Sequence, residues 1–188
     1  MVLGVPIPEQ RLDIVKSYKA RMKREFRMIP PRLLSSGPIL ENVLPSNERH
    51  IERTVDAILR LDRRRVGLFG LAFKPGTDDL RESPLVELAE RLLGKGFDLR
   101  IYDPAVSLST LVGANREYVE KRIPHLSALL VQTAEEVMDH AEVCVIGAAQ
   151  PETIEALARA NGRAIVDLVR LPDAAERRGD SAYVGVAW

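Results

Sequence analysis

Two cations near a predicted helix start are the residues best suited to chemistry. Lys74 and Arg81 lie in a polar loop, and Ser83 then opens the helix. Backbone N–H groups at a helix N-terminus attract anions, and nearby cations add to that attraction, so this combination predicts a phosphate site. The cations could instead pair with carboxylates of the same loop. Those carboxylates are Asp78, Asp79 and Glu82. Both interpretations are open at this point.

A βαβ unit positions this loop. Val66, Leu68 and Leu71 form a short apolar run that is typical of a buried strand. Ser83-Pro84 is a good helix start, because serine caps a helix and proline suits its first position. A second strand is predicted at 99–102. The crossover should be right-handed, and functional residues in such a unit lie outside the carboxyl ends of the strands.

The glycines of this unit do not form the dinucleotide-binding fingerprint. That fingerprint is G-x-G-x-x-G, whereas this chain has Gly67 and Gly70, with the next glycine at Gly76. Asp103, which ends the second strand, could contact a ribose as in cofactor-binding folds. It could also start a turn before Pro104, and we favour the turn.

Strand and helix patterns continue to alternate towards the end of the chain. Further strands are predicted at 126–131, 143–146 and 164–167, with an additional last strand at 183–188. Helices are predicted at 46–60, 134–140 and 151–160, and an interrupted one at 107–122. Near-continuous apolar strands of this kind predict an α/β protein with a doubly wound parallel sheet of about five to six strands and helices on both faces.

The helix at 46–60 should be capped by Ser46 or Asn47. Its predicted buried stripe consists of Ile51, Val55, Ile58 and Leu59. After the 143–146 strand, the small residues 147–149 and Gln150 could let a ligand approach the backbone, although a tight turn would also explain them.

Composition narrows the class of protein. Lys plus Arg and Asp plus Glu are equal at 27 each, so no net field favours nucleic acid. The apolar runs are too short for a membrane span, and no secretory signal is apparent, so we expect a cytoplasmic protein. Cys144 is the single cysteine and lies in an apolar run, which predicts a small buried hydrophobe rather than a nucleophile. His50 and His125 lack partners at metal-ligand spacing, so we predict no metal site.

Residues 1–37 form a basic N-terminal extension, predicted to be helical. One helical face carries Leu12, Val15, Lys19, Met22 and Phe26. Such a helix could lie on an anionic membrane surface, contact nucleic acid, or pack against the net-acidic remainder of the chain or a second copy. We favour packing against protein, because Phe26 and Met28 suit it.

The segment from Phe73 to Pro84, FKPGTDDLRESP, resembles the signature of the C-terminal domain of the UDP-glucose/GDP-mannose dehydrogenase family, and in particular its GDP-mannose 6-dehydrogenase branch. The resemblance continues through 113–115, 123–125 and 166–169, and it runs from near Pro38 to the end. It implies a Rossmann-like domain that binds the nucleotide part of a nucleotide-sugar of the GDP-mannose or UDP-glucose type.

The resemblance also assigns expected roles to residues. It implies that Phe73 and Lys74 contact the substrate and that Arg81 reaches towards the diphosphate of NAD. It places a further substrate-binding residue at Arg163, which could otherwise be a solvated arginine at a strand edge. The family helix that matches 46–60 carries a dimer contact, so a homodimer is expected.

The chemistry of the family needs a thiolate. Its members oxidise the C6 alcohol of the sugar with NAD through a thiol-linked intermediate, and their active-site cysteine loop precedes the region that matches Pro38. The corresponding stretch here has no cysteine. We therefore assign no catalytic residue, expect no dehydrogenase activity from this chain alone, and expect NAD to bind in the full family enzyme and not tightly to this chain.

These considerations divide the chain into a basic helical extension (1–37), a connecting helix (38–63) and a Rossmann-like domain (64–188). As a unit it could be a piece of a dehydrogenase or a free-standing binder or regulator. It could also be an interaction module that docks a partner through residues 9–32. A separate chain could supply the catalytic half.

Overall fold

The computed structural model describes residues 38–74, 76–106, 124–160 and 162–186. The helices in these ranges are α1 (Pro38–Arg60), α2 (Pro84–Gly94), α3 (Pro124–Ser127), α4 (Ala134–His140) and α5 (Pro151–Leu157). The strands are β1 (Arg65–Phe69), β2 (Asp98–Tyr102), β3 (Val143–Ile146), β4 (Ala164–Asp167) and β5 (Tyr183–Gly185). The predicted extension 1–37 and the predicted helix 107–122 lie outside the described residues.

The strands form one parallel sheet in the order β2-β1-β3-β4-β5. This confirms the predicted α/β class and the doubly wound parallel sheet. The chain moves outward from β1 to β2 and then returns past β1 to β3. The direction of winding therefore reverses between β1 and β3, and the carboxyl ends of these two strands are where ligands bind in open sheets of this kind.

Helices cover both faces of the sheet. Val143 and Val145 of β3 join one apolar cluster with α1 and α2, whereas Cys144 and Ile146 join a second cluster with α4 and α5. Successive side chains of a strand point to opposite faces, so both faces of β3 are buried and every residue of the strand must be apolar.

Two local signals explain the helix starts next to the sheet. Ser83 caps α2, because its side chain accepts a hydrogen bond from the N–H of Leu85, and Pro84 occupies the first turn. Thr133 and Glu136 form a reciprocal capping box at the start of α4. Both starts were predicted correctly. The helix predicted at 151–160 begins as expected but ends at Leu157.

The predicted strand at 126–131 is wrong. This segment begins with the short helix α3, in which Leu126 is fully buried, and only Leu130 forms an isolated bridge to Ile101 of β2. Two hydrogen bonds complete this bridge, from Ile101 N to Leu129 O and from Val131 N to Ile101 O, each 2.9 Å. A short apolar run cannot distinguish a strand from a buried helical turn, and Pro124 favours the turn.

The predicted start of α1 at Ser46 or Asn47 is also wrong. The helix begins at Pro38 and continues through Pro45. A proline inside a helix removes one backbone hydrogen bond, which a helix can accommodate with a bend. Ile51, Val55 and Ile58 are buried as predicted. Leu59 is 42% exposed, so the buried stripe of α1 is narrower than predicted.

Candidate functional site at the carboxyl edge of the sheet

The loop that follows β1 begins where β1 and β3 end. Gly70 has φ +94°, which favours glycine, and a Cβ atom there would lie 2.7 Å from Cβ of Ala148. The N–H of Ala148 donates to the carbonyl of Phe69 at 3.0 Å. The loop therefore leaves the sheet in close contact with the segment after β3.

Asp103, at the end of β2, anchors the start of this loop. Its Oδ2 accepts hydrogen bonds from the N–H groups of Leu71 (2.7 Å) and Ala72 (3.0 Å). Its Oδ1 accepts from the N–H of Ala105 at 3.0 Å, in the turn that we favoured from the sequence. Asp103 is almost fully buried, at 5% exposed. Its three backbone hydrogen bonds account for a carboxylate at this position without a contact to a ribose.

The other end of the loop is fixed at α2. The buried Ser83 hydroxyl donates to the carbonyl of Leu71 at 2.7 Å while it caps the helix. Within the loop, the N–H of Phe73 donates to the carbonyl of Asp79 at 2.8 Å, and the Thr77 hydroxyl donates to the carbonyl of Lys74 at 2.7 Å. These bonds hold the loop in one shape without regular secondary structure.

Phe73 and Lys74 are presented to solvent by this anchored loop. Phe73 is 63% exposed, and Lys74 is also exposed. Among the described residues, no carboxylate oxygen lies within 4 Å of the Lys74 ammonium group. An exposed ring can stack on a planar group, and an adjacent ammonium can bind phosphate.

Arg81 pairs with a carboxylate of its own loop, which was one of the two alternatives that the sequence left open. Its Nε donates to Oδ1 of Asp79 at 2.8 Å, and its Nη2 donates to Oδ2 at 2.7 Å. The backbone N–H of Arg81 adds a third bond to Oδ1 at 3.1 Å. These bonds from Arg81 lower the pKa of Asp79 to about 2, so the carboxylate is ionised at neutral pH.

The structure does not bring Arg163 together with Phe73, Lys74 and Arg81. Arg163 directly precedes β4, so it lies at the amino edge of the sheet, opposite the loop after β1. Its Nε donates to the carbonyls of Met138 (3.0 Å) and Ala141 (3.1 Å), at the end of α4. The side chain is half-buried rather than solvated, and a substrate-binding role for it stays a prediction.

The small residues after β3 are explained by packing. A Cβ atom on Gly147 would lie 2.6 Å from both Cδ atoms of Leu85, so α2 occupies the space beside it. Gln150 was predicted only as part of the segment that could let a ligand approach the backbone. Its Oε1 is buried and has no hydrogen-bond partner among the described residues. No local pattern could have indicated that burial.

Cys144 is a buried member of β3, as predicted. Its Sγ lies 3.7 Å from Sδ of Met138, and burial raises its pKa to about 12. A protonated thiol is a poor nucleophile. Within the described ranges, no cluster of three or more His, Cys, Asp or Glu side chains could hold a metal ion. No described helix has the length and hydropathy needed to cross a bilayer.

A parallel sheet in this order, covered on both faces and carrying an anchored polar loop at its reversal point, defines a Rossmann-like α/β domain. The family described as "UDP-glucose/GDP-mannose dehydrogenase family, UDP binding domain" matches residues 67–173. The chain belongs to this family.

Individual relatives agree with this assignment. The chain is 47% identical over 133 residues to GDP-mannose 6-dehydrogenase of Pseudomonas aeruginosa, an alignment that covers 70% of this chain and 30% of that protein. The corresponding enzyme of Pseudomonas putida is 47% identical over 135 residues, covering 71% and 31%. The chain thus spans about a third of the length of the curated relatives it matches.

Solved structures show the same fold. A ternary complex of GDP-mannose dehydrogenase from Pseudomonas aeruginosa superposes with a TM-score of 0.74 and 36% identity, covering 99% of this chain and 40% of that one. A UDP-glucose dehydrogenase from Pyrobaculum islandicum superposes with a TM-score of 0.61 and 34% identity, covering 80% and 32%.

Proposed function

We propose that this chain binds the nucleotide part of a nucleotide-sugar at the carboxyl edge of its sheet, through the loop that carries Phe73 and Lys74. The observation that carries the proposal is the exposure of these two side chains on a loop anchored to β1, β2 and α2. The match of this loop to a UDP binding domain supports it.

Each side chain has a chemical role in this proposal. The Lys74 ammonium binds the diphosphate by charge-assisted hydrogen bonds, and the Phe73 ring packs on a planar or apolar part of the ligand. Arg81 is an exposed guanidinium on the same loop, and its donors suit a diphosphate. Guanine or uracil, and mannose or glucose, are alternatives for the base and sugar.

The wider activity follows from the same proposal. NAD would supply the hydride acceptor in a whole dehydrogenase, with Arg81 directed to its diphosphate. The chain lacks the dinucleotide fingerprint after β1, so we propose that the cofactor is held mainly by the remainder of such an enzyme, in the same protein or in a separate chain. We also propose a homodimer, as the resemblance implies, and a cytoplasmic location, as the sequence composition suggests.

Calorimetric titration tests it. The 188-residue chain is titrated separately with UDP-glucose, GDP-mannose and NAD, and the charge-reversal variant Lys74→Glu is compared with Arg53→Glu. Arg53 is exposed in the middle of α1 and is not part of the loop. Because a hydrogen bond to a charged group contributes about 1.5–3 kcal/mol, Lys74→Glu should weaken binding of one nucleotide-sugar by roughly tenfold or more.

The control variant Arg53→Glu should bind like the unaltered chain. Equal affinity of the Lys74→Glu variant would contradict the role of this loop. Absence of binding by the unaltered chain to all three compounds would refute nucleotide binding by this chain on its own. The alternative is an interaction module that docks a partner through residues 9–32, and replacing Leu12 and Phe26 by Asp would test it.

A further inference from the structure

A carboxylate beside a proposed diphosphate site is unexpected, because its charge repels the ligand. Asp79 nevertheless lies in the loop with Lys74 and makes three bonds to Arg81. Glu82, in the same loop, holds the unusual backbone angle φ +59° for a non-glycine residue. Such a conformation persists only where the surrounding structure fixes it, so the segment from Asp79 to Ser83 has one defined shape.

Asp79 connects the two ends of the proposed site. Its carbonyl accepts the N–H of Phe73 at 2.8 Å, which fixes the main chain at Phe73. Its carboxylate accepts hydrogen bonds from Nε and Nη2 of Arg81, and these bonds fix the plane of the guanidinium. One residue thus fixes the backbone of the aromatic contact and the orientation of the cation.

The geometry of the pair suits a support for the guanidinium. The guanidinium has five N–H donors in one plane, and the carboxylate engages the edge formed by Nε and Nη2. The edge formed by Nη1 and Nη2 therefore has a fixed direction, away from Asp79. Bidentate recognition of a phosphate by arginine depends on such a fixed plane.

We propose that Asp79 is a positioning residue that holds the Arg81 guanidinium in the orientation in which it binds the diphosphate of a nucleotide. The inference rests on the proposed function of the loop. The Arg81 side chain is 58% exposed, and each hydrogen bond that restricts its guanidinium reduces the conformational freedom that ligand binding would have to remove. Because the pair with Asp79 already restricts the Arg81 side chain, less conformational entropy is lost when the ligand binds.

The repulsion between Asp79 and the ligand predicts an effect of opposite sign. If Asp79 acted only through its charge, its removal would strengthen binding. If it acts by holding Arg81, its removal weakens binding, and only while Arg81 is present. The two effects can therefore be separated by comparing variants in the presence and absence of Arg81.

The test is calorimetric titration of the 188-residue chain with UDP, GDP and NAD in separate experiments. The variants are Asp79→Ala, Asp79→Asn, Arg81→Ala and the double variant, with Asp78→Ala as the control for charge. Among the described residues, the Asp78 side chain makes no hydrogen bond or ion pair, and Asp78 neighbours Asp79 in the same loop. Urea unfolding of each variant verifies that the loop substitutions leave the fold intact.

We expect Asp79→Ala to weaken binding roughly three- to tenfold, the range that follows from immobilising one long side chain. Asp79→Asn keeps one acceptor for Arg81 and should fall in between. The double variant should bind at least as tightly as Arg81→Ala, because without Arg81 the removal of the carboxylate only relieves its repulsion of the ligand. Whichever of the three compounds binds identifies whether the diphosphate comes from a uridine, guanosine or dinucleotide ligand.

Three results would overturn the inference. The first is binding by Asp79→Ala that equals or exceeds that of the unaltered chain. The second is a loss in Asp79→Ala that persists with the same ratio in the Arg81→Ala background, since that would reflect the shape of the loop alone. The third is a failure of the unaltered chain to bind any of the three compounds, which overturns the proposed function as well.

Discussion

Replacing Asp103 with alanine should destabilise the domain, because its carboxylate anchors the start of the loop after β1. The carboxylate lies at the end of β2, yet its Oδ2 accepts the N–H groups of Leu71 and Ala72, which follow β1. Both of these residues are buried, so water cannot readily replace the lost acceptor. The substitution therefore leaves two buried donors without partners.

The magnitude follows from those two donors. A buried donor left unsatisfied costs about 1–3 kcal/mol, so Asp103→Ala should lower the free energy of unfolding by roughly 2–6 kcal/mol. Ala105 is less buried, and its N–H can bond to water. Asp103→Asn should cost about half as much, because its single carbonyl oxygen can still face Leu71 and Ala72.

Urea unfolding followed by circular dichroism measures this effect. Asp98→Ala is a matched control, because Asp98 begins the same strand with a side chain that is 67% exposed and has only a long, 3.8 Å contact from its Oδ1 to Nε2 of His140 among the described residues. A surface substitution of that kind should change the free energy by less than about 0.5 kcal/mol. A difference of less than about 1 kcal/mol between Asp103→Ala and Asp98→Ala would refute the idea that Asp103 anchors the loop.

Two further predictions concern the sheet. Gly70→Ala should lower the free energy of unfolding, measured in urea, by at least about 1 kcal/mol more than Gly96→Ala does. Both glycines have positive φ, but of the two only Gly70 would place a Cβ atom within 3 Å of a neighbouring atom. Equal losses in the two variants would contradict this clash. The raised pKa of Cys144, about 12 against an ordinary value of 9.0, favours the protonated thiol in the folded state. The contribution of the thiol to the free energy of unfolding is fully present below pH 9 and is lost as the pH rises towards 12. Between these values the unaltered chain should lose up to about 1.4 kcal/mol per pH unit more than Cys144→Ala does. Parallel pH profiles would contradict this.

Local signals account for the elements that the sequence predicted correctly. Ser83 followed by proline marks the start of α2 without reference to the rest of the fold. The uninterrupted apolar run of β3 requires burial on both faces, which a parallel sheet covered by helices provides. Each of these signals is contained in a few consecutive residues.

The wrong assignments depend on competition between distant segments. The apolar run at 126–131 could have been a strand or a buried turn, and the burial of Leu126 in the core decides for the turn. The cap expected at Ser46 or Asn47 placed the start of α1 too late, because the helix continues through Pro45 and one missing hydrogen bond does not end it. Neither outcome can be derived from periodicity.

The candidate site was predictable in part. The pairing of Arg81 with Asp79 was among the alternatives, because the two residues are neighbours in the loop. The bonds from Leu71 and Ala72 to Asp103 join separate strands, and no sequence pattern indicates them. The position of Arg163 could have been foreseen, since a residue that directly precedes a parallel strand lies at the amino edge.

The bridge at Leu130 also determines how this sheet can meet another polypeptide. The backbone N–H and C=O of Ile101 on the outer side of β2 are both occupied, by Leu129 and Val131. A foreign strand would have to displace this bridge before it could extend the ladder beyond β2. At the opposite edge, β5 is only three residues long and offers a short template. Within the described part of the chain, the two edges of the sheet are thus limited as templates for strand addition by two small features and not by a long covering strand.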